Sequence, residues 1–185
     1  MEGIRRIDAA DLVRRSEDDV SEKNLAVTIR DARPMDQAQL RRAVVEIQEY
    51  EGKLHSTRLP GEQIADAYLT RIENQIGEDG ALLIAEIDRC FVGFVAGWIE
   101  RSDVIAETPD SSRFGYISDL CVMPDYRGQR IARRLLSAIE ERLSRAGITR
   151  IRICSLAANA SARASYEHAG FEPYEITYEK SVARS

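Results

Sequence analysis

Four arginines surround a glycine at a predicted helix start, and their charge suits the binding of phosphate groups. They lie beside Gly128 and within two helical turns of it: Arg127, Arg130, Arg133 and Arg134. An apolar run precedes the segment and an amphipathic stripe follows it, so unpaired N–H groups of a helix N-terminus would face an anion there. Glycine also lets the backbone approach a ligand closely. The segment predicts a polyphosphate site, whereas a charge run taken alone usually only solvates a helix face.

A tyrosine and an asparagine further along the chain could complete the chemistry. Asn159 precedes a short helical pattern, and Tyr166 follows it by seven residues, shortly before Gly170 and Phe171. A tyrosine hydroxyl has an ordinary pKa of about 10, so it stays protonated at neutral pH and can donate a proton. Taken alone, Tyr166 would be interpreted as a partly buried aromatic and Asn159 as a helix N-cap.

At these residues the chain resembles the GCN5-related N-acetyltransferase (GNAT) superfamily. The family's signature runs Arg or Gln, two residues, Gly, one residue, then Gly or Ala. Arg127 and Ala132 match that signature, whereas Arg130 replaces its usual glycine. The lead-in at residues 119–124 and the segment at residues 159–171 are similar to the family as well.

The resemblance implies acetyl-CoA as cosubstrate, with no metal ion, and it implies a role for each motif. Tyr166 would donate its proton to the departing thiolate of CoA. Backbone N–H groups of the preceding strand would hold the acetyl carbonyl and stabilise the tetrahedral intermediate, the arginine-rich turn would bind the pyrophosphate, and an asparagine would bond the pantetheine arm. The strand residues are Leu120, Cys121 and Val122, and the asparagine is Asn159. The residues of the turn are Arg127, Gly128, Gln129, Arg130, Ile131 and Ala132.

Attack by an amine requires a base, because an alkylamine with a pKa of about 10.4 is almost wholly charged at pH 7. Asp119 is the nearest acidic candidate in the sequence, and it could equally be a structural carboxylate. Family members that act on amines often carry a glutamate where Ser118 stands, and Ser118 could instead order a water molecule. Three glutamates of the first predicted helix could act from across the cleft: Glu46, Glu49 and Glu51.

Period-two alternation divides the strand around Asp119 into two faces. Asp119 and Cys121 would share one face, and Ser118, Leu120 and Val122 the other. We therefore expect only one of these faces to line the cleft.

Hydrophobic periodicity predicts one α/β domain over residues 25–185, after a charged extension at residues 1–24. The resemblance implies a mixed sheet in which the parallel fourth and fifth strands splay apart, with helices on both faces. Strands are predicted at residues 25–29, 81–87, 91–99, 116–122, 148–154 and 171–179. Helices are predicted around residues 40–50, 64–76, 131–143 and 160–169.

Composition and charge limit the classes of function. The chain has 185 residues, of which 44% are hydrophobic and 31% charged, as is typical of one globular domain. Its formal net charge of -5 argues against broad binding to nucleic acid or to anionic membranes. The acidic helices favour a cationic acceptor such as a polyamine, an aminoglycoside or a lysine side chain.

The cysteines and histidines indicate a compartment and argue against a metal site. Cys90, Cys121 and Cys154 lie in apolar runs, where we expect them to pack in the core. An odd number of cysteines without paired spacing, and no signal peptide or apolar membrane span, predict a cytoplasmic protein. His55 and His168 are the only histidines, so no zinc site is expected.

These observations favour an enzyme that transfers an acetyl group from acetyl-CoA directly to a primary amine of a small molecule or peptide. The alternative is a noncatalytic acyl-CoA-binding or sensing module, which Arg130 and Ser118 support and the retained Tyr166 opposes. The family also suggests a homodimer. The acceptor contacts we expect are Glu49, Tyr50, His55 and residues 101–113.

Overall fold

Within residues 26–182, which the computed structural model describes, five strands form one sheet whose spatial order follows the sequence. The strands are β1 (Val27–Asp31), β2 (Ala81–Ile87), β3 (Cys90–Arg101), β4 (Arg113–Val122) and β5 (Ile151–Ile153). Neighbours from β1 to β4 are antiparallel, whereas β4 and β5 are parallel. The predicted mixed sheet is confirmed. The extension predicted at residues 1–24 lies outside the described residues.

Helices cover both faces of this sheet, as predicted. They are α1 (Gln37–Leu54), α2 (Gly61–Ile76), α3 (Ile131–Arg145) and α4 (Ala160–His168). α1 and α2 bury their apolar residues on one face, and α3 buries its own on the opposite face. The stripe predicted for α3 is buried to 1% exposure or less at Ile131, Leu135, Ile139 and Leu143.

The central strands are covered on both faces, which explains their nearly continuous apolar sequence. Along β2, Leu83 and Ala85 pack with α3, whereas Leu82 and Ile84 pack with α1 and α2. A two-residue turn joins β2 to β3, and both of its residues have positive φ, 50° at Asp88 and 65° at Arg89. Two positive φ values are the geometry of the type I′ turn that matches strand twist, so the hairpin forms without Asn-Gly.

The parallel pair β4 and β5 separates after a short ladder. Pairing runs from Gly115 opposite Ile151 to Ile117 opposite Ile153, and β4 then continues alone on that side to Val122. β5 is shorter than the strand predicted at residues 148–154, because only Ile151–Ile153 pair with β4, and Ile148 is buried in the core outside the strand. The backbone edge of β4 beyond Ile117 is consequently open to a ligand.

The strand predicted at residues 171–179 is wrong, because residues 171–182 form no regular element. Its alternating apolar side chains are exposed, at 63% for Tyr174, 69% for Ile176 and 88% for Tyr178. Alternation suggests a strand but does not supply the neighbouring strand that must pair its backbone groups. Among the helices of residues 26–182, none is both long and apolar enough to span a membrane.

Candidate active site

A cleft of about 990 Å³ opens where β4 and β5 separate. Its walls come from α1, α2, β4, the turn before α3, and α4. It brings together eleven of the twelve residues predicted for the site: Asp119, Leu120, Cys121, Val122, Arg127, Gly128, Arg130, Ile131, Ala132, Asn159 and Tyr166. Gln129 does not line the cleft, and its side-chain amide donates instead to the carbonyl oxygen of Asp125 at 3.4 Å.

The turn before α3 has the backbone geometry of an anion site. Gly128 has a φ of 76°, and Arg130, the N-cap of α3, has a φ of 59°. The left-handed region costs a residue with a side chain roughly 1–2 kcal/mol, which explains why a glycine suits this position. The backbone N–H of Arg134 donates to the carbonyl of Arg130 at 3.2 Å, so the N–H groups just before it face the cleft without helical partners.

The four arginines of this segment have different environments. Arg127, Arg130 and Arg133 line the cleft. Arg134 points away from it and donates to the carbonyl oxygen of Val27 on β1 at 2.9 Å. Arg127 is already engaged with α1, because its guanidinium pairs with Glu46 at 3.0 Å and lies 5.7 Å from the ring centre of Tyr50. Three of the four arginines therefore line the cleft, and one of these three, Arg127, already pairs with a carboxylate.

A β-bulge at Ser118 changes which side chains β4 directs into the cleft. Asp119 is opposite Ala96 and Ile117 is opposite Gly97, so Ser118 is the extra residue of β4. Ile117 packs in the core on the α3 side. The expectation that only one strand face would line the cleft is wrong, because residues 118–122 all line it at the free edge of β4.

Asp119 is held by two hydroxyl groups in a buried position. The Tyr68 hydroxyl of α2 donates to Oδ1 at 3.0 Å, and the Ser118 hydroxyl donates to Oδ2 at 2.7 Å. Only 6% of Asp119 is exposed. Burial raises the pKa of Asp119, and the two hydrogen bonds partly oppose that rise. Ser118 thus orients the carboxylate, and a carboxyl group with a raised pKa accepts a proton more readily than an ordinary aspartate does.

Tyr166 lies half-buried on α4, with its ring 6.2 Å from that of Phe171. Burial, with a further contribution from the carboxylates of Glu51 and Asp119, raises the pKa of Tyr166 to about 12. The phenol therefore stays protonated at neutral pH and lines the cleft as a proton donor. Asn159 also lines the cleft, and its side-chain oxygen accepts from the N–H of Ala162 at 3.0 Å, as an N-cap does.

Comparison with known proteins identifies the family. Residues 46–171 match the family model described as the acetyltransferase (GNAT) family. The chain belongs to this family. It is 35% identical over 91 residues to a mycothiol acetyltransferase of Brachybacterium faecium, a stretch that makes up 49% of this chain. The matched stretch spans only 26% of that relative's length.

Solved structures share the fold of this chain. An aminoglycoside N-acetyltransferase, AAC(6')-Iy, in complex with CoA has a TM-score of 0.62 and 22% identity, over 83% of this chain and 94% of its own. A protein described as a transcriptional regulator from Bacillus halodurans C-125 has a TM-score of 0.63 and 17% identity, over 84% of this chain and 99% of its own. At such identities the likeness shows the fold alone.

In this GNAT acetyltransferase the glutamates of α1 are occupied by other groups. Glu46 pairs with Arg127, Glu49 accepts from the N–H of Gly61 at 2.9 Å, and Glu51 pairs with Arg58 at 2.6 Å. Glu51 lines the cleft, as does Tyr50 among the expected acceptor contacts. Glu49, His55 and residues 101–113 are not among the described residues of its wall.

Sequence reasoning missed several residues of the GNAT cleft. Tyr68 lies within the helix predicted around residues 64–76, and no local pattern in the sequence shows that its hydroxyl reaches Asp119. Cys121 is buried as expected, but Cys90 and Cys154 are exposed, which corrects their assignment to the core, and Cys154 lines the cleft. Tyr116 lies on the same wall of the cleft, and its pKa is raised to about 12, mainly by burial and then by the nearby thiol of Cys154. Residues 26–182 contain no cluster of three or more histidine, cysteine, aspartate or glutamate side chains suited to a metal ion.

Proposed function

We propose that this GNAT acetyltransferase transfers an acetyl group from acetyl-CoA directly to a primary amine of a small molecule or peptide. One observation carries the proposal: a single cleft joins the open helix N-terminus of α3, the free edge of β4 and the pair Asp119 and Tyr166. An anion site, a backbone hydrogen-bonding edge and two titratable groups are the parts that acyl transfer from a nucleotide-bearing thioester requires.

The arrangement of the cleft supports each part of the donor's binding. The N–H groups at the start of α3, with Arg130 and Arg133, would hold the pyrophosphate. The gap between β4 and β5 would admit the pantetheine arm, because within the described part of the chain β4 has no partner on that side beyond Ile117. Asn159 stands at the start of α4 on the same wall.

Acetyl-CoA supplies an activated thioester, and the chain would supply positioning and proton transfer. Asp119 would accept the proton of the amine as the new amide bond forms, which its raised pKa supports. Tyr166 would donate its hydroxyl proton to the sulfur as the thioester bond breaks. Both residues line the cleft, so solvent can remove the proton from Asp119 and return one to Tyr166 after release of products. No covalent acyl-enzyme is needed.

Two measurements test the proposal. Calorimetric titration with acetyl-CoA should give binding, and addition of amines should then give thiol release and a product heavier by one acetyl group in mass spectrometry. Binding without acetyl transfer to any amine would favour the noncatalytic acyl-CoA-binding module. Absence of binding would overturn the assignment of the turn before α3.

The cysteines and the family resemblance bear on compartment and assembly. Cys90, Cys121 and Cys154 are all free thiols, which supports a reducing compartment, and we propose the cytoplasm. The resemblance to the family supports a homodimer, with no surface assigned to it. Light scattering of the purified protein measures the assembly directly.

A further inference from the structure

The part of the cleft next to Asp119 is walled by α1 and α2, and its charged side chains differ in whether they have a partner of opposite charge. The lining residues there are Gln48, Glu51, Arg58, Tyr68 and Arg71. Glu51 forms an ion pair with Arg58 at 2.6 Å, and Asp119 is bonded to Tyr68 and Ser118. Arg71 has no ion-pair partner among residues 26–182, and its side chain is exposed to the cleft.

The guanidinium of Arg71 acts on the reacting end of the cleft rather than on distant surface. Burial raises the pKa of both Asp119 and Tyr68, and the positive charge of Arg71 opposes that rise in each. Arg71 lies on α2 close to one turn beyond Tyr68, so the two side chains share a face of the helix. An acceptor whose amine reaches Asp119 would therefore meet a cation nearby.

This charge distribution disfavours the polycationic acceptors that the acidic composition of α1 suggested. The carboxylates of Glu46, Glu49 and Glu51 are engaged with Arg127, the N–H of Gly61 and Arg58. A polyamine or an aminoglycoside would bring additional ammonium groups against Arg71, and like charges in a shared cleft repel. A carboxylate on the acceptor would instead pair with the guanidinium in the planar geometry that arginine prefers.

We propose that the acceptor is an amine that also carries a carboxylate group, and that Arg71 binds this carboxylate while Asp119 faces the amine. The inference rests on the proposed acetyl transfer, whose acceptor it names by chemical class. Arg71 is then a specificity-determining residue, because it discriminates acceptors by a group that takes no part in bond formation.

The experiment compares amines that differ only in the carboxylate. The pairs are L-leucine with 3-methylbutylamine, β-alanine with ethylamine, and γ-aminobutyrate with propylamine, and their graded lengths report the spacing between amine and carboxylate. Comparison of ethanolamine with phosphoethanolamine tests whether a phosphate can take the place of the carboxylate. Spermidine and kanamycin represent polycations. Each kcat/KM is corrected to the concentration of neutral amine, because a carboxylate near the amine lowers its pKa.

Substitutions assign the preference to one side chain. Arg71→Gln should lower kcat/KM for the preferred carboxylate-bearing amine by about 10- to 100-fold, the range of one hydrogen bond to a charged group, and should leave kcat/KM for the matched amine without a carboxylate unchanged. Arg71→Lys should retain part of the preference. Arg42→Gln is the matched control, because Arg42 is an exposed arginine of α1 outside the cleft wall. Acetyl-CoA affinity should be equal in all four proteins.

The possible outcomes separate this inference from the proposed function. A preference of at least about 10-fold for carboxylate-bearing amines that Arg71→Gln abolishes would support the inference. Three results would overturn the inference and leave acetyl transfer standing. The first is acetylation without a preference, and the second is a preference for the phosphate or for polycations. The third is an equal loss for both members of a pair in Arg71→Gln. Calorimetric titration of the CoA-loaded protein gives an independent measurement. Arg71-dependent binding of the carboxylate-bearing amine without turnover would refute acetyl transfer, and with it the role of that amine as acceptor, and would leave only Arg71 as the residue that binds the carboxylate.

Discussion

Asp119 and Tyr166 share one cleft, and burial raises the pKa of both, with opposite consequences for their proton chemistry. A carboxyl group whose pKa is raised holds a proton more strongly and so becomes a better acceptor. A phenol whose pKa is raised to about 12 remains protonated across the physiological range and so remains available as a donor. The two groups are therefore suited to the base and acid roles respectively.

Removing only the hydroxyl of Tyr166 tests the acid role. Tyr166→Phe should lower kcat by about 100-fold or more, because general acid catalysis contributes on that scale, and should leave acetyl-CoA affinity unchanged. The hydroxyl makes no hydrogen bond to any other residue among residues 26–182, so its loss should not disturb the fold. Tyr178→Phe is the control, because Tyr178 is exposed and lies outside the cleft wall. Equal turnover of Tyr166→Phe and wild type would exclude the acid role.

The raised pKa of Asp119 predicts a specific pH dependence of stability. Its value in the unfolded chain is about 3.9, so the folded state favours the protonated form. The stabilisation is complete below that value and is lost as the pH rises through the raised folded pKa. Asparagine at position 119 cannot titrate. As the pH rises above about 4, the free energy of unfolding of the wild type should therefore fall relative to that of Asp119→Asn.

Urea unfolding of both proteins at several pH values measures this difference. Asp79→Asn is the control, because Asp79 is exposed and outside the cleft. If Asp119 is also the base, Asp119→Asn should have a strongly reduced kcat. A difference in unfolding free energy that does not change with pH would contradict the raised pKa.

At the scale of elements, the bulge in β4 and the early end of β5 create the site together. The bulge at Ser118 turns Asp119 toward α2, where Tyr68 bonds it. The end of β5 at Ile153 leaves the edge of β4 open beside the turn before α3. Neither feature alone would place a bonded carboxylate next to a free strand edge.

The turn before α3 holds a residue in a conformation that favours glycine. Arg130→Gly should have a free energy of unfolding about 0.5–1 kcal/mol higher than that of Arg130→Ala, which lacks the same side chain, because relief of the left-handed strain exceeds the added entropy of the unfolded chain. The same change removes a guanidinium from the cleft and should weaken acetyl-CoA binding about 2- to 5-fold. Arg130→Asn should show the same loss of affinity, since asparagine tolerates positive φ without the charge. Unchanged affinity in both variants would mean that this guanidinium makes no contact with phosphate.

At the scale of the whole molecule, the cleft uses both helical layers and the sheet, so a ligand in it should stabilise the fold as a unit. CoA at 100 times its Kd should raise the free energy of unfolding by about 2.7 kcal/mol. Trp98 is the single tryptophan, only 4% exposed in β3, and its fluorescence can follow urea unfolding. Pantetheine, which lacks the nucleotide phosphates, is the matched control and should stabilise less. An unfolding midpoint that CoA does not move would argue against the cleft as its site.

The features determined by the sequence itself are those in which neighbours along the chain decide the outcome. The stripe of α3, the arginine-rich turn with Gly128, and the N-cap Asn159 all follow from spacing within one or two helical turns. The same locality explains why the chain could be recognised as GNAT-like from residues 119–132 and 159–171.

Only the tertiary structure decided which distant residues meet. Tyr68 reaches Asp119 across 51 positions of the chain, and Arg134 turns to Val27 on β1. Arg71 has no ion-pair partner within residues 26–182 and lines the same cleft as the reacting groups. The bulge at Ser118 shifts by one residue which side chains of β4 lie on each face of the sheet. Residues 171–179 alternate as a strand does but form no strand, because no strand of residues 26–182 pairs with them. Periodicity reports how a segment alternates between faces, but contacts depend on where the other segments lie in space, and that placement determines the chemistry of the acceptor site.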